Sequence, residues 1–281
     1  MKSKRKIGGH VSIAGGLINS LDRAEKIGGN CLQIFAASPR SWARSPFPLD
    51  KAKEYNKQIE TKDLRPVFIH TLYLVNLASD NSDIYDKSMS ALKSDMQSGD
   101  LIKSAGVIVH LGSHQGRGFD AVSSQVVDSI KKILKASSKT LLLIENSAGQ
   151  KGKVGSLEEI SYLLKQVSSP RLGVCIDTAH LFAAGFDLTQ EKKIDELVSL
   201  LDNLKVLPHL KCLHLNDSKT ALGSASDQHD NIGQGKIGLQ GLGHFINHPK
   251  LRHLPIILEV PGFSGQGPDK KNIDIVKSLI R

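Results

Sequence analysis

The stretch Leu172–His180 reads LGVCIDTAH and is the most informative part of the sequence. Its first five residues form an apolar run without polar alternation, which is typical of a parallel β-strand buried on both faces. The run ends on a carboxylate, Asp177, and a histidine, His180, follows three residues later. The stretch therefore predicts a buried parallel strand with metal-ligand side chains at its C-terminal end.

Apolar runs of the same kind recur along the whole chain. The other seven are Ile7–Val11, Cys31–Ala36, Pro66–His70, Val107–His110, Thr140–Glu145, Lys211–Leu215 and Pro255–Val260. Segments with apolar residues at helical spacing lie between them or follow the last, namely Ile18–Ile27, Lys51–Ile59, Ser88–Ser104, Ala121–Ala136, Leu157–Val167, Lys193–Leu204, Leu239–Ile246 and Lys271–Ile280. Eight strands alternating with eight helices predict a single α/β domain over residues 1–281, a (β/α)8 TIM barrel with its active site at the C-terminal rim of the parallel strands.

Length and composition fit this architecture. The chain has 281 residues, of which 40% are hydrophobic, and single α/β barrels have about 250 residues. No apolar stretch approaches the roughly 18 residues that span a membrane. The basic start Met1–Lys6 leads into a Gly-rich stretch rather than the apolar core of a signal peptide. We therefore expect a cytoplasmic protein without membrane contacts. We also expect it to be a monomer.

The three cysteines are Cys31, Cys175 and Cys212, and each lies inside an apolar run. No CxxC motif occurs, so neither a zinc ribbon nor a redox pair is indicated. A free thiol in such a run behaves as a small core residue. We expect all three in the core of a protein from a reducing compartment.

The formal net charge is +9. A basic surplus favours a polyanionic partner, because phosphate contacts release condensed counterions. Charge alone does not distinguish a nucleic-acid-binding protein from a generally basic one, so the partner has to be inferred from the site.

Metal-ligand residue types stand at the C-terminal ends of seven of the eight predicted strands. They are His10, His70, His110, Glu145, Asp177, His214 and Glu259. The strand ends of a barrel converge on one rim, and buried carboxylates without a partner are strongly destabilising. A single histidine at a strand end is more often a hydrogen-bonded structural residue, but seven such residues on one rim predict a metal cluster.

Two further pairs extend this cluster. His180 follows Asp177, and Asp227 and His229 flank a single residue in an extended segment. Imidazole and carboxylate ligands without thiolate suit zinc, manganese or iron. Two such metals about 3.5–4 Å apart can activate water and stabilise the attacking and leaving oxygens of phosphoryl transfer.

Several longer segments resemble the endonuclease IV family of apurinic/apyrimidinic (AP) endonucleases. The resemblance covers nearly the whole chain and is carried by Gly8–Ser12 (GGHVS), Glu145–Gln150 (ENSAGQ), Cys175–His180 (CIDTAH) with Ala183–Gly185, His214–Lys219 (HLNDSK), and Asp227–His229 with Gly233–Gly235. Together these motifs are highly specific.

The resemblance implies three zinc ions per chain and nine ligand positions, all of which hold a suitable residue here. By position, the first zinc is held by His70, His110 and Glu145, the second by Glu145, Asp177, His214 and Glu259, and the third by His180, Asp227 and His229. Glu145 is then the bridging, catalytic carboxylate. His10 resembles a family histidine that is not counted as a ligand, which corrects the argument from strand ends.

The resemblance also implies a substrate, double-stranded DNA containing abasic sites. The family hydrolyses the phosphodiester 5′ to the abasic site in base excision repair, leaving a 3′-hydroxyl and a 5′-deoxyribose phosphate. Arg40, Tyr73 and Leu74 match the side chains that fill the gap left by the flipped-out nucleotide, and Trp42 stands in the same long loop, Ala37–Asp50, as Arg40. For Tyr73 and Leu74 the alternative is ordinary packing under a loop.

Some positions depart from the family pattern. Ala37–Pro39 stands where a Lys-Asn pair is frequent, and Gln228 replaces a frequent arginine; Leu111, Ala179 and Val260 replace a common Pro, Cys and Thr. None of these changes removes a ligand, so they bear on DNA affinity more than on the chemistry. The sequence leaves open the native metal, the oligomeric state and any activity on blocked 3′ ends or other damaged substrates.

The main alternative is a divalent-metal sugar isomerase or epimerase on a related barrel. Such an enzyme would need at most two metals and no DNA wedge, so Asp227, His229 and Arg40 argue against it. A DNA-binding barrel without catalysis is a third class, against which the intact ligand set argues.

Overall fold

The eight apolar runs form parallel strands that close into a ring. In the computed structural model, which describes residues 5–281, they are β1 Ile7–His10, β2 Cys31–Phe35, β3 Val67–His70, β4 Gly106–Val109, β5 Leu142–Glu145, β6 Leu172–Asp177, β7 Leu210–His214 and β10 Ile256–Leu258. Neighbours in this order pair in parallel, and β10 pairs with β1 to complete the barrel. The predicted (β/α)8 fold is confirmed. The basic start of the chain, Met1–Lys4, lies outside the described residues.

Helices cover the outside of the barrel, where the amphipathic segments were predicted. They are α1 Asn19–Lys26, α2 Leu49–Glu60, α3 Ser82–Ile102, α4 Phe119–Leu134, α5 Leu157–Val167, α7 Glu191–Asn203, α8 Gly238–Asn247 and α9 Lys270–Leu279, with a 3₁₀ turn at Leu207–His209. At several helix starts, a local side chain accepts a hydrogen bond from a backbone N–H group of the first turn. Ser156 and Glu159 form a capping box at α5, and the Asn81 side chain caps α3.

Three short elements escaped the sequence analysis. They are α6 Thr178–Ala183 and the two-residue strands β8 Asp217–Ser218 and β9 His229–Asp230. The Asp177 carboxylate accepts a hydrogen bond from the backbone N of His180 at 2.9 Å, and so starts α6 directly at the end of β6. β8 and β9 pair antiparallel and close the loop between them. Elements this short have no periodicity from which to predict them.

The barrel interior below the rim is apolar. The buried residues there are Cys31, Phe68, Ile108, Leu143, Cys175, Cys212 and Ile257. All of these except Cys31 stand two residues before a strand-end His, Asp or Glu, and side chains two residues apart share one face of a strand. The polar rim residues therefore rest on an apolar floor.

The cysteines are part of this floor. Cys31, Cys175 and Cys212 are buried and free, as predicted, and burial raises the pKa of the Cys31 and Cys175 thiols well above the usual value. These two thiols remain protonated at neutral pH. Across residues 5–281, no helix is both long and apolar enough to cross a membrane.

Candidate metal centre

The strand ends bring most of the predicted ligands to one rim. His70, Glu145, Asp177 and His214 are the last residues of β3, β5, β6 and β7, whereas His110 and Glu259 come one residue after β4 and β10. His180 lies in α6, His229 begins β9, and Asp227 belongs to the loop before it. The cluster is therefore built from six barrel strands and the two loop elements that follow β6 and β7.

The first group consists of His70, His110 and Glu145. One potential ligand atom from each lies within 4.8 Å of the other two. The Nε2 atoms of His70 and His110 are 3.1 and 3.3 Å from Oε2 of Glu145. Ligand atoms of one tetrahedral zinc are about 3.3 Å apart, given bonds of about 2.0–2.1 Å, so the spacing suits a shared cation.

The second group consists of Glu145, Asp177, His214 and Glu259. Nδ1 of His214 is 3.1 Å from Oε1 of Glu145, 3.4 Å from Oε2 of Glu259 and 4.0 Å from Oδ2 of Asp177. Glu145 thus presents one oxygen to each group. This is the arrangement that a carboxylate bridging two metals requires.

The third group differs in one member from the set implied by the resemblance. Asp177, His180 and His229 have potential ligand atoms within 4.8 Å of one another. Oδ1 of Asp227 is also near, at 3.1 Å from Nε2 of His180 and 3.3 Å from Nε2 of His229. Asp177 therefore stands between the second and third groups, with Oδ2 3.6 Å from Nε2 of His229.

The hydrogen bonding of the imidazoles fits a metal centre. Nδ1 of His70 is 2.7 Å from the carbonyl oxygen of Thr71, and Nδ1 of His180 is 3.0 Å from that of Asn146. A backbone carbonyl accepts the Nδ1 proton and leaves Nε2 unprotonated, as metal-binding histidines require. Nε2 of His180 and of His229 is buried and has no hydrogen-bond partner despite the nearby carboxylates.

The pKa shifts within the cluster indicate that its buried carboxylates attract positive charge. Burial would raise the pKa of Glu145, but the His110 and His214 imidazoles outweigh it and hold that pKa well below its usual range. Burial lowers the pKa of His180, but Asp177 and Asp227 outweigh it and raise the pKa to about 10. The buried carboxylates thus draw protons onto an imidazole, and metal cations would neutralise the same charges.

A cavity of about 450 Å³ opens above this rim. Its lining includes His110, Asp227 and Glu259 from the candidate ligands, together with Tyr73 and Lys153. The candidate ligands therefore face a space that a substrate can enter.

The predicted DNA-contact residues lie at the same end of the barrel. Tyr73 and Leu74 follow β3, are adjacent in the chain, and are 66% and 44% exposed. The Tyr73 ring packs edge-on against Phe35 at 5.3 Å, and Arg40 in loop 36–48 is exposed. Tyr73 lines the cavity, whereas Leu74 and Arg40 stand outside its lining.

Two residues show where the sequence analysis was incomplete. His10, which the strand-end argument included, belongs to none of the three groups; its Nδ1 is 3.2 Å from Oε1 of Glu259. Gln33 was missed, although it is fully buried and contacts His214 and Glu259. Its signal was a polar residue in the middle of the apolar run CLQIF.

The chain matches the model of the xylose isomerase-like TIM barrels over residues 21–279. Within that class, a protein of Halothermothrix orenii named probable endonuclease 4 is 38% identical over 275 residues, covering 97% of this chain and 99% of that relative. One of Haloquadratum walsbyi with the same name is 37% identical over 274 residues, covering 97% and 98%. The chain belongs to the endonuclease IV family.

Solved structures agree with this assignment. The crystal structure of endonuclease IV from Thermus thermophilus has a TM-score of 0.86 and 33% identity, and the match covers 98% of both chains. A D-tagatose 3-epimerase-like protein has a TM-score of 0.73 at 16% identity, covering 98% of this chain and 96% of that one. At that identity the similarity concerns the fold alone, so it lends no support to the sugar-epimerase alternative.

Proposed function

We propose that this protein is a zinc-dependent AP endonuclease of DNA base excision repair. It would hydrolyse the phosphodiester 5′ to an abasic site in double-stranded DNA, and would also trim blocked 3′ ends at the same site. The observation that carries the proposal is the position of Glu145, whose two oxygens face two adjoining groups of candidate ligands in a chain of the endonuclease IV family.

Three zinc ions would be held by the nine residues. His70, His110 and Glu145 would hold the first, Glu145, Asp177, His214 and Glu259 the second, and His180, Asp227 and His229 the third. The choice of zinc is supported by the imidazole and carboxylate donors and by their separations of 3.1–4.0 Å within the groups. Bound zinc would supply Lewis-acid activation of water and of the scissile phosphate.

The residues of the chain would organise the reaction around those ions. Water attacks the phosphorus 5′ to the abasic sugar, the bond from phosphorus to the preceding 3′-oxygen breaks, and that oxygen takes up a proton. The products are a 3′-hydroxyl and a 5′-deoxyribose phosphate. Glu145 would be the catalytic carboxylate, because one of its oxygens faces each of the first and second groups and its charge would neutralise cations bound there. Tyr73 lines the cavity beside the candidate ligands.

Lesion recognition would depend on the exposed rim residues. Extrusion of a nucleotide from the duplex costs least where the base is damaged or missing, and apolar wedges stabilise the opened stack elsewhere. The exposure of Tyr73 and Leu74 supports this role, and Arg40 would contact the backbone or the gap. The net charge of +9 supports a polyanionic substrate. We further propose that residues 1–281 act as one domain, as a monomer in the cytoplasm.

A substrate panel tests the proposal. The zinc-loaded protein is incubated with a duplex carrying one abasic site, with the same duplex lacking it, and with a set of ketoses and aldoses. We expect incision of the abasic duplex alone. Conversion of a sugar without incision would favour the isomerase class, and tight DNA binding without incision would favour a non-catalytic barrel.

A further inference from the structure

Gln33 is a buried amide that contacts residues at the ends of three other barrel strands, and two of these residues are candidate metal ligands. It lies in β2, is 0% exposed, and stands opposite His10 of β1 in the register of the two strands. Its Oε1 is 2.8 Å from Nε2 of His214. Its Nε2 is 2.5 Å from Oε1 of Glu259 and 2.9 Å from Nδ1 of His10. One side chain therefore contacts two candidate ligands.

The orientation of this amide is dictated by its neighbours. An amide nitrogen carries two hydrogens and donates only, whereas the amide oxygen accepts only. The Glu259 carboxylate accepts only, so the atom of Gln33 beside it has to be the nitrogen. The second hydrogen then points to Nδ1 of His10, and the oxygen is left to face His214.

This orientation fixes which nitrogen of His214 is free. Because the Gln33 oxygen accepts, Nε2 of His214 carries a proton and donates it. Nδ1 is then the atom that can bind a metal, and it is Nδ1 that lies 3.1 Å from Oε1 of Glu145. The same ring nitrogen is 3.4 Å from Oε2 of Glu259.

Gln33 also distinguishes the two carboxylate oxygens of Glu259. Its Oε1 receives the Gln33 amide at 2.5 Å and lies 3.2 Å from Nδ1 of His10. Its Oε2 accepts no hydrogen bond from Gln33 and is the Glu259 oxygen that lies 3.4 Å from Nδ1 of His214. The atoms that Gln33 engages on His214 and Glu259 are thus the ones turned away from the second group.

We propose that Gln33 is a positioning residue that selects the metal-binding atoms of the second group, Nδ1 of His214 and Oε2 of Glu259. The inference rests on the proposed function, since it assumes a metal in that group. Mutation of a residue that orients a metal ligand typically lowers metal affinity by about 10- to 100-fold. Gln33 acts here on two ligands at once.

The test uses Gln33→Met, which keeps an unbranched side chain of similar length but removes both polar atoms. Gln125→Met is the matched control. Gln125 is half-buried, whereas Gln33 is fully buried, and it donates to the backbone carbonyls of Leu77 and Ser79 rather than to a candidate ligand. If both glutamines are ordinary structural amides, both substitutions lower the thermal stability and neither changes zinc binding. If Gln33 orients the two ligands, only Gln33→Met also weakens zinc binding.

Zinc affinity is measured on the full-length protein by competition with a chelator, and donor identity is followed by the visible spectrum of the cobalt-substituted protein. We expect Gln33→Met to bind one of its three zinc ions about 10- to 100-fold more weakly and to change the cobalt spectrum. Gln125→Met should match the wild type in both measurements.

Histidine ¹⁵N resonances of the zinc-loaded wild type provide an independent readout, and His214 should carry its proton on Nε2. Protonation of His214 on Nδ1, or wild-type zinc affinity and cobalt spectrum in folded Gln33→Met, would overturn the inference. If the wild type incises abasic DNA but Gln33→Met is unchanged, only this inference fails. If the wild type binds no metal, the proposed function fails with it.

Discussion

Arg44 and Asp95 form a buried ion pair beside the candidate metal centre. Nη1 of Arg44 is 2.6 Å from Oδ2 of Asp95, and both side chains are only 1% exposed. Arg44 belongs to loop 36–48, which also carries Arg40, and donates to the carbonyl oxygen of Ser38 in the same loop. Asp95 belongs to α3. The pair therefore fastens the long loop to the body of the barrel.

Replacing only one member of this ion pair should strongly lower the free energy of unfolding. Burial raises the pKa of Asp95 to about 6 even with Arg44 beside it, so desolvation is only partly offset. We expect Arg44→Met alone to lower the free energy of unfolding by about 3–5 kcal/mol, because it leaves a buried carboxylate without a partner. The double variant Arg44→Met with Asp95→Leu should recover most of that loss, as urea denaturation can measure. Equal loss in both variants would contradict this account.

Asp100 should make stability depend on acid pH. Its carboxylate accepts hydrogen bonds from the backbone N and hydroxyl groups of Ser138 and Thr140 and from the hydroxyl of Ser137. Burial acts to raise the pKa of Asp100, but these hydrogen bonds outweigh it and hold the pKa well below its usual range.

The sign follows from that depressed pKa. The stabilisation is fully present above about pH 4, the usual pKa of an unfolded aspartate, and is lost as the pH falls towards the folded value. Asp100→Asn should lower the free energy of unfolding at pH 7 by about 2 kcal/mol, and this difference should shrink below pH 4. Thermal unfolding between pH 7 and pH 2 measures it, and a pH-independent difference would rule out the carboxylate as its source.

Glu145→Gln should remove turnover while the protein stays folded. The amide keeps the shape but loses the charge that would neutralise two bound metal ions, so turnover should fall by at least about 10³-fold, with DNA binding retained. Glu158→Gln, an exposed position on α5, is the control and should behave as wild type. Near-normal turnover in folded Glu145→Gln would show that the bridging assignment is wrong.

Tyr73→Ala combined with Leu74→Ala should separate lesion recognition from metal binding. Neither residue is a candidate ligand, so zinc content should be unchanged. Incision of abasic duplex should fall about 100-fold, because stabilisation of an extruded nucleotide is worth a few kcal/mol. Tyr162→Ala, which removes an exposed aromatic ring from α5 on the outside of the barrel, is the control. Undiminished incision by the double variant would contradict the wedge.

Arg40→Ala should identify the kind of interaction that this side chain makes with DNA. If the guanidinium binds a phosphate, its removal lowers the slope of log affinity against log salt by about one, whereas removal of a gap-filling side chain changes the slope less. Arg252→Ala, another exposed arginine in the turn before β10, should leave the slope unchanged. Wild-type DNA binding and incision by Arg40→Ala would show that Arg40 does not contact DNA.

The barrel was predictable because parallel strands buried on both faces leave continuous apolar runs, such as the LGVCI that precedes Asp177. The ligand ring was predictable because the ends of such strands meet at one rim. The short α6 and β9 were not, since elements of six and two residues have no period. The contacts of Gln33 were not predictable, because its partners His214 and Glu259 are 181 and 226 residues away in the chain. They meet Gln33 only once the barrel closes.

Product analysis on a labelled abasic duplex tests the central claim most directly. The wild-type protein, with its metal content measured by elemental analysis, is incubated with the duplex before and after prolonged chelation. The account predicts three zinc ions per chain, incision that leaves a 3′-hydroxyl and a 5′-deoxyribose phosphate, and loss of incision on chelation. An unsaturated aldehyde at the 3′ side, or active protein with one metal or none, would contradict it.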